Sequence, residues 1–173
     1  MTFKESTRKY ILSGIVALVT VGLIVASVLA SKQDENFLMS ETLYNQAIQL
    51  QADGDLEGSI ALLSEVLKKQ PNSEVGNYVA ALTNARNGDM KQASIYMQKV
   101  LDINPYKAED PKFMLQIGEI FLGAEKFEEA KIVLLRCQEM QWTLDDIPDY
   151  QEYVATLLAQ IENSQSKEGT DNE

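Results

Sequence analysis

Two stretches of this chain superimpose at an offset of 34 residues, and a period of that length leaves few folds open. The stretches are QADGDLEGSIALLSEVLKKQPNS and ARNGDMKQASIYMQKVLDINPYK, with Gly54-Asp55-Leu56 falling on Gly88-Asp89-Met90, Val66 on Val100, and Pro71 on Pro105. Each holds a Gly-Asp turn, an apolar-periodic run and an Asn/Pro stop. Gly54 and Gly88 end one helix where a left-handed backbone is needed, and Asp55 or Asp89 caps the next. Gln92, three residues after Asp89, completes a capping box. Ser59 and Ala93 are small where paired helices must approach, and Leu63, Met97, Val66 and Val100 form a stripe at helical spacing. A hairpin of this size cannot bury its apolar face alone, so such units stack.

A looser third copy follows in FMLQIGEIFLGAEKFEEAKIVLLRCQEM, displaced by three residues, with the slack in Tyr106 to Asp110. Gly118 allows close contact, Phe121 faces inward, Phe127 opens the second helix, Ala130 takes the small site and Leu134 the large one. Asp110-Pro111 restarts the helix, with Asp as cap and Pro where its missing N–H costs nothing. On these residues the chain resembles the tetratricopeptide repeat family and, with the uncharged apolar run at 11–30 ahead of them, its N-terminally membrane-anchored bacterial type. The matching positions are Ala47, Ser59, Leu63, Val66 and Pro71, then Ala81, Ala93, Met97, Val100 and Pro105, then Ile117, Gly118, Phe121, Ala130 and Leu134. No tryptophan opens a unit, Ser59 stands where alanine is usual, and the third unit ends at Trp142 instead of proline.

The expected fold is all-α, a tetratricopeptide-like solenoid of helical hairpins preceded by a single transmembrane helix. Three repeats fill 38–144 (38–71, 74–105 and 111–142), a capping helix 145–163, and a disordered acidic tail 164–173. Helices are expected at 38–52, 56–69, 74–87, 90–103, 111–123, 127–140 and 147–163. The last presents Tyr150, Tyr153, Val154, Leu157, Leu158 and Ile161 to the end of the stack, which otherwise exposes an apolar face.

Ahead of the repeats, 11–30 reads ILSGIVALVTVGLIVASVLA, uncharged and about 30 Å long as a helix. Residues 1–10 form a tip carrying Lys4, Arg8 and Lys9, and 31–37 a linker with Lys32, Asp34 and Glu35. That asymmetry places the N-terminus in the cytoplasm and the repeats on the extracytoplasmic side of a bacterial cell membrane. The alternative is secretion after cleavage following Ala30, although the run exceeds the roughly 7–15 residues of a signal core.

From Ser31 onward acidic residues outnumber basic ones 25 to 12, which argues against nucleic acid as a partner. The chain has no histidine, the commonest general base and zinc ligand, and its one cysteine, Cys137, lies on an apolar helix side. Asp53 and Asp55 lack the further ligands of a calcium loop, and Asp145/Asp146 and Glu128/Glu129 read as helix-start charges. No catalytic residue, cofactor site or metal site is expected, and the chain is read as a non-enzymatic scaffold or adaptor.

The resemblance implies a protein-binding groove on the concave face, made by Tyr44, Asn45, Ile48, Tyr78, Val79, Leu82, Arg86, Lys112, Leu115, Gln116 and Glu119. Of the lysines and asparagines with which some family members clamp a C-terminal carboxylate, only Lys112 remains, so an apolar or mixed ligand is expected. The expected partner is an envelope or exported protein of unknown identity. The alternative is a scaffold that assembles with itself as a homo-oligomer.

Overall fold

The computed structural model describes residues 18–23 and 41–170, which fall in two compact units, Met1–Thr42 and Leu43–Glu173. In the first, 18–23 are helical, with Leu18, Val19, Val21 and Leu23 exposed. The rest of the expected span 11–30 lies outside the described residues, as do the tip, the linker and 171–173. No helix among the described residues is long and apolar enough to cross a membrane.

Among its described residues the second unit is built of helices alone, apart from an isolated antiparallel bridge between Leu144 and Ile147. The first of them is described from Glu41, two residues ahead of the unit's boundary. We label them α1 (41–52), α2 (Leu56–Lys69), α3 (Glu74–Arg86), α4 (Met90–Ile103), α5 (Pro111–Gly123), α6 (Phe127–Glu139) and α7 (Tyr150–Thr170), with a 3-10 turn at Pro105–Glu109 before α5. The capping residues do what their side chains dictate. Asp55 accepts from the Gly58 N–H at 2.8 Å, Asp89 from Gln92 at 2.9 Å, and Asp110 from both Lys112 and Phe113 at 3.1 Å. Ser73 caps α3 through the Gly76 N–H.

Each hairpin closes in the same way. The N–H groups of Asp55, Asp89 and Lys126 reach back to Leu50, Asn84 and Phe121, each at 2.9 Å. That closure requires a left-handed residue, supplied by Gly54 at φ 88° and Gly88 at φ 87°, but in the third hairpin by Glu125 at φ 61°. α6 correspondingly lacks a side-chain cap, because Lys126 stands where the other units have aspartate.

The small-residue expectations hold in space. Ala47, Ala81, Ser59, Ala93 and Ala130 are fully buried, and a Cβ on Gly118 would lie 2.6 Å from Leu134 Cδ2, so glycine lets α5 and α6 close together. Two cores result. A larger one gathers Met97, Phe113, Ile117, Leu134, Tyr150, Val154 and Ile161 from α4 to α7, and a smaller one holds Ala47, Leu63, Leu67 and Ala80.

α7 departs from expectation at both ends. It begins at Tyr150, after a loop with Gln141 at φ 52°, and continues past Asn163 to Thr170, into residues expected to form a disordered tail. No proline interrupts that extension, and Gln165 donates to Glu128 on α6 at 2.7 Å. Tyr150, Val154, Leu157 and Ile161 are buried as the stripe requires, whereas Tyr153 stays 40% exposed and turns toward α5.

Candidate protein-binding face

The odd-numbered helices form one layer and the even-numbered helices the other, as alternating hairpin arms must. One or more side-chain hydrogen bonds cross each gap in the odd layer. Gln51 of α1 donates to Thr83 of α3 at 2.8 Å, the Tyr78 hydroxyl of α3 to Gln116 of α5, and the Tyr153 hydroxyl of α7 to Glu119 of α5. The buried Tyr150 hydroxyl adds a bond to the Pro111 carbonyl at 2.9 Å, which fixes the start of α5 against α7. Burial pushes the Tyr150 phenol well above its ordinary value, while the Glu119 carboxylate raises Tyr153 to about 12 by favouring its proton.

α3 tolerates this arrangement because its buried polar side chains are satisfied locally. Asn77 donates to the carbonyls of Pro71 and Ser73, Thr83 to Val79, and Asn84 to Ala80. The hydroxyl of Ser59 is the exception: it is buried without a hydrogen-bond partner, where the other units place alanine.

The eleven residues expected in the groove divide into three kinds. Asn45, Ile48, Arg86 and Lys112 are exposed, and Tyr44, Val79 and Leu82 are half-buried with their apolar bodies against the core. Tyr78, Gln116 and Glu119 are also half-buried, but they are already engaged with neighbouring helices, and the Tyr78 ring sits 5.9 Å from that of Phe113. Leu115 departs from the expectation. It is 2% exposed and belongs to the larger core, because the displaced register of the third unit turns that position inward.

Lys112 is also not free. Its ammonium meets Asp146 at 2.6 Å, which raises the lysine pKa and lowers that of the aspartate. Asp146 was expected to sit at a helix start, but α7 begins four residues later, so the carboxylate serves α5 instead. Glu128 and Glu129 do occupy the first turn of α6.

Between α3 and α5 a cleft of about 460 Å³ remains open. Leu82, Ala85 and Arg86 line it from α3, Gln116, Glu119 and Ile120 from α5, and Met90 from the start of α4. Four of these seven residues were legible as groove positions. Ala85, Met90 and Ile120 were not, since each reads as core at its own helical period. The available signal was that Leu82 and Glu119 sit at equivalent points of neighbouring units, 37 residues apart, so that their surroundings also adjoin.

Cys137 is buried, and its thiol is pushed up by that burial. Among the described residues no group of three or more His, Cys, Asp or Glu side chains converges as metal ligands do.

Tetratricopeptide repeat family models match residues 41–73 and 76–107, the first two hairpins. No curated protein sequence matches the chain significantly. Similar solved structures include the Yersinia enterocolitica type III secretion chaperone SycD in complex with a peptide of the translocator YopD. It is 16% identical with a TM-score of 0.57, over 72% of this chain and 93% of that one. The first TPR domain of human RPAP3 is 19% identical with a TM-score of 0.58, over 73% and 97%. The TPR2B domain of yeast Sti1, in a complex with pHsp70, is 12% identical with a TM-score of 0.56, over 73% and 98%. At these identities the likeness is one of fold. Residues 41–170 form a tetratricopeptide-type helical stack.

Proposed function

We propose that this protein is a membrane-tethered adaptor whose odd-helix face binds a segment of an envelope or exported protein. The observation that carries the reading is the open cleft between α3 and α5, lined by Leu82, Arg86, Gln116 and Glu119 at positions where the repeat pattern places ligand contacts. Tyr44, Asn45 and Ile48 extend the same face along α1 with apolar area and polar tips, a combination suited to peptide recognition. The SycD structure holds a peptide of the translocator YopD and the Sti1 structure pHsp70, which supports segment recognition by this fold.

The tether is 11–30, with the N-terminus cytoplasmic and the stack extracytoplasmic. The exposed apolar helix at 18–23 is consistent with lipid as its surroundings. A pocket for a chaperone's terminal carboxylate is not part of this reading, because Lys112 already has Asp146 as its counter-ion.

Self-assembly is the second reading. Ile95 of α4 and Ile132 of α6 are 56% and 69% exposed at equivalent points of consecutive units, which makes an apolar stripe on the even layer.

In-membrane crosslinking of the full chain separates the two. Photoreactive residues would be placed at Tyr44, Ile48 and Arg86, at Ile132, and at the exposed Glu57 as a control, with captured proteins identified by mass. A distinct protein caught from the first three positions supports the adaptor. Capture of the same chain from Ile132 supports self-assembly, and capture no greater than at Glu57 would remove the odd-helix face as the working surface.

A further inference from the structure

The helices α1, α3 and α5 carry only two cations among their described residues, Arg86 and Lys112. Lys112 is neutralised by Asp146, and of the basic residues beside this layer Lys107 is held by Asp110 at 3.0 Å and Lys126 lies over the Phe121 ring. Among the described residues Arg86 has neither an ion-pair nor a side-chain hydrogen-bond partner, although Glu119 lines the same cleft. Glu119 instead accepts the Tyr153 hydroxyl. An exposed guanidinium is therefore left at the rim of an apolar floor made by Leu82, Ala85, Met90 and Ile120, and its donors are available to a planar acceptor.

Resting on the proposed function, we infer that the α3–α5 cleft selects a peptide segment bearing one carboxylate side chain beside a large apolar one, with Arg86 taking the carboxylate and the floor taking the apolar group. Two charges restrict that ligand further. The part of the chain from Ser31 onward is strongly acidic, so a poly-acidic segment is repelled as a whole while a neutral or basic one is not. Within the cleft, Glu119 disfavours a carboxylate on the α5 side and accepts a backbone N–H there instead. The segment is thus oriented, acid toward α3 and main-chain donor toward α5. Screening over about 8 Å at physiological salt leaves the Arg86 contact dominant at short range.

The test is selection of random twelve-residue peptides by display against the full chain in lipid nanodiscs, followed by affinity measurements with the enriched peptides. Enriched sequences are expected to carry a single Asp or Glu next to Leu, Ile, Met or Phe, on a neutral or basic background. Arg86→Gln should weaken those peptides about tenfold, Arg86→Lys should restore part of the loss, and repeating the selection on Arg86→Glu should enrich Lys or Arg instead. Circular dichroism checks that each variant keeps the wild-type helicity. Leu82→Glu tests the cleft itself. Peptides without an acid, or unaffected at Arg86 yet lost on Leu82→Glu, would overturn the inference and leave the groove reading standing. No enrichment, or peptides indifferent to both substitutions, would overturn both.

Discussion

The first hairpin keeps the repeat register strictly and lies in the smaller core, while the third breaks register, turn and stop and lies inside the larger one. The second hairpin, also in strict register, joins that larger core through Ala81, Ala93, Met97 and Val100. Register is a local property of turns and caps. Burial is set by neighbours, and the third hairpin is covered on one side by α4 and on the other by α7. The difference teaches that fidelity to a repeat pattern measures how legible a unit is, and not how much it contributes to stability.

Removal of α7 tests this most severely. Ending the chain after Asp146 uncovers the partners of Tyr150, Val154, Leu157 and Ile161, each fully or almost fully buried. At roughly 1.5–3 kcal/mol per buried side chain, the loss approaches the whole stability of a small domain. Loss of cooperative thermal unfolding by circular dichroism is expected, and a shortened chain that melts as sharply as the intact one would break the comparison. Next comes a matched pair of truncations. Leu134→Ala should cost about 3–4 kcal/mol, because Gly118 has no side chain with which to fill the space, and Leu63→Ala in the smaller core about 2–3 kcal/mol. Equal costs in denaturant titration would mean that neighbour coverage does not set the difference.

Smaller effects sharpen it. Asp110→Ala should cost about 1–2 kcal/mol by uncapping α5. Burial pulls the Asp110 carboxyl up, but the Phe113 N–H and the Lys107 ammonium outweigh it and hold the carboxyl below its ordinary value. Its folded pKa is depressed, so its contribution is complete above the unfolded value, about 4, and drains as pH falls through the folded one. Acid titration of the melting temperature should therefore be shallower in Asp110→Ala than in the parent. Ser59→Ala should stabilise the first hairpin by about 1 kcal/mol, since it removes a buried hydroxyl that has no partner. Glu125→Gly should gain about 0.5 kcal/mol by relieving the left-handed turn of the third hairpin, and a loss there would show that the Glu125 side chain has a role of its own.

Much of the fold was legible because its determinants are short-range. Asp55, Asp89 and Asp110 announce helix starts, Gly54 and Gly88 announce turns, and the observed bounds of α2, α4 and α5 coincide with those read from the sequence. Where the determinant is long-range, reading failed. Nothing beside Glu125 signals a left-handed residue, since the turn is imposed by the hairpin it closes. Repeat position names candidates for the binding face, but not which of them a neighbouring helix already engages or buries, as it does Leu115. Whether Lys112, Glu119 and Gln116 are open to a ligand depends on Asp146, Tyr153 and Tyr78, which lie 34 to 38 residues away and show no pairing pattern in the sequence.

The hydrogen bonds that cross each gap of the odd layer have a mechanical consequence. A stack of hairpins flexes by sliding its arms past one another, and Gln51–Thr83, Tyr78–Gln116 and Tyr153–Glu119 oppose that slide at three successive joints. Under the proposed function, a surface braced in this way would have little conformational entropy left to lose on the host side. In the proposed complex the host side is therefore the rigid one: the incoming segment does the bending, and its own stiffness governs how quickly it seats.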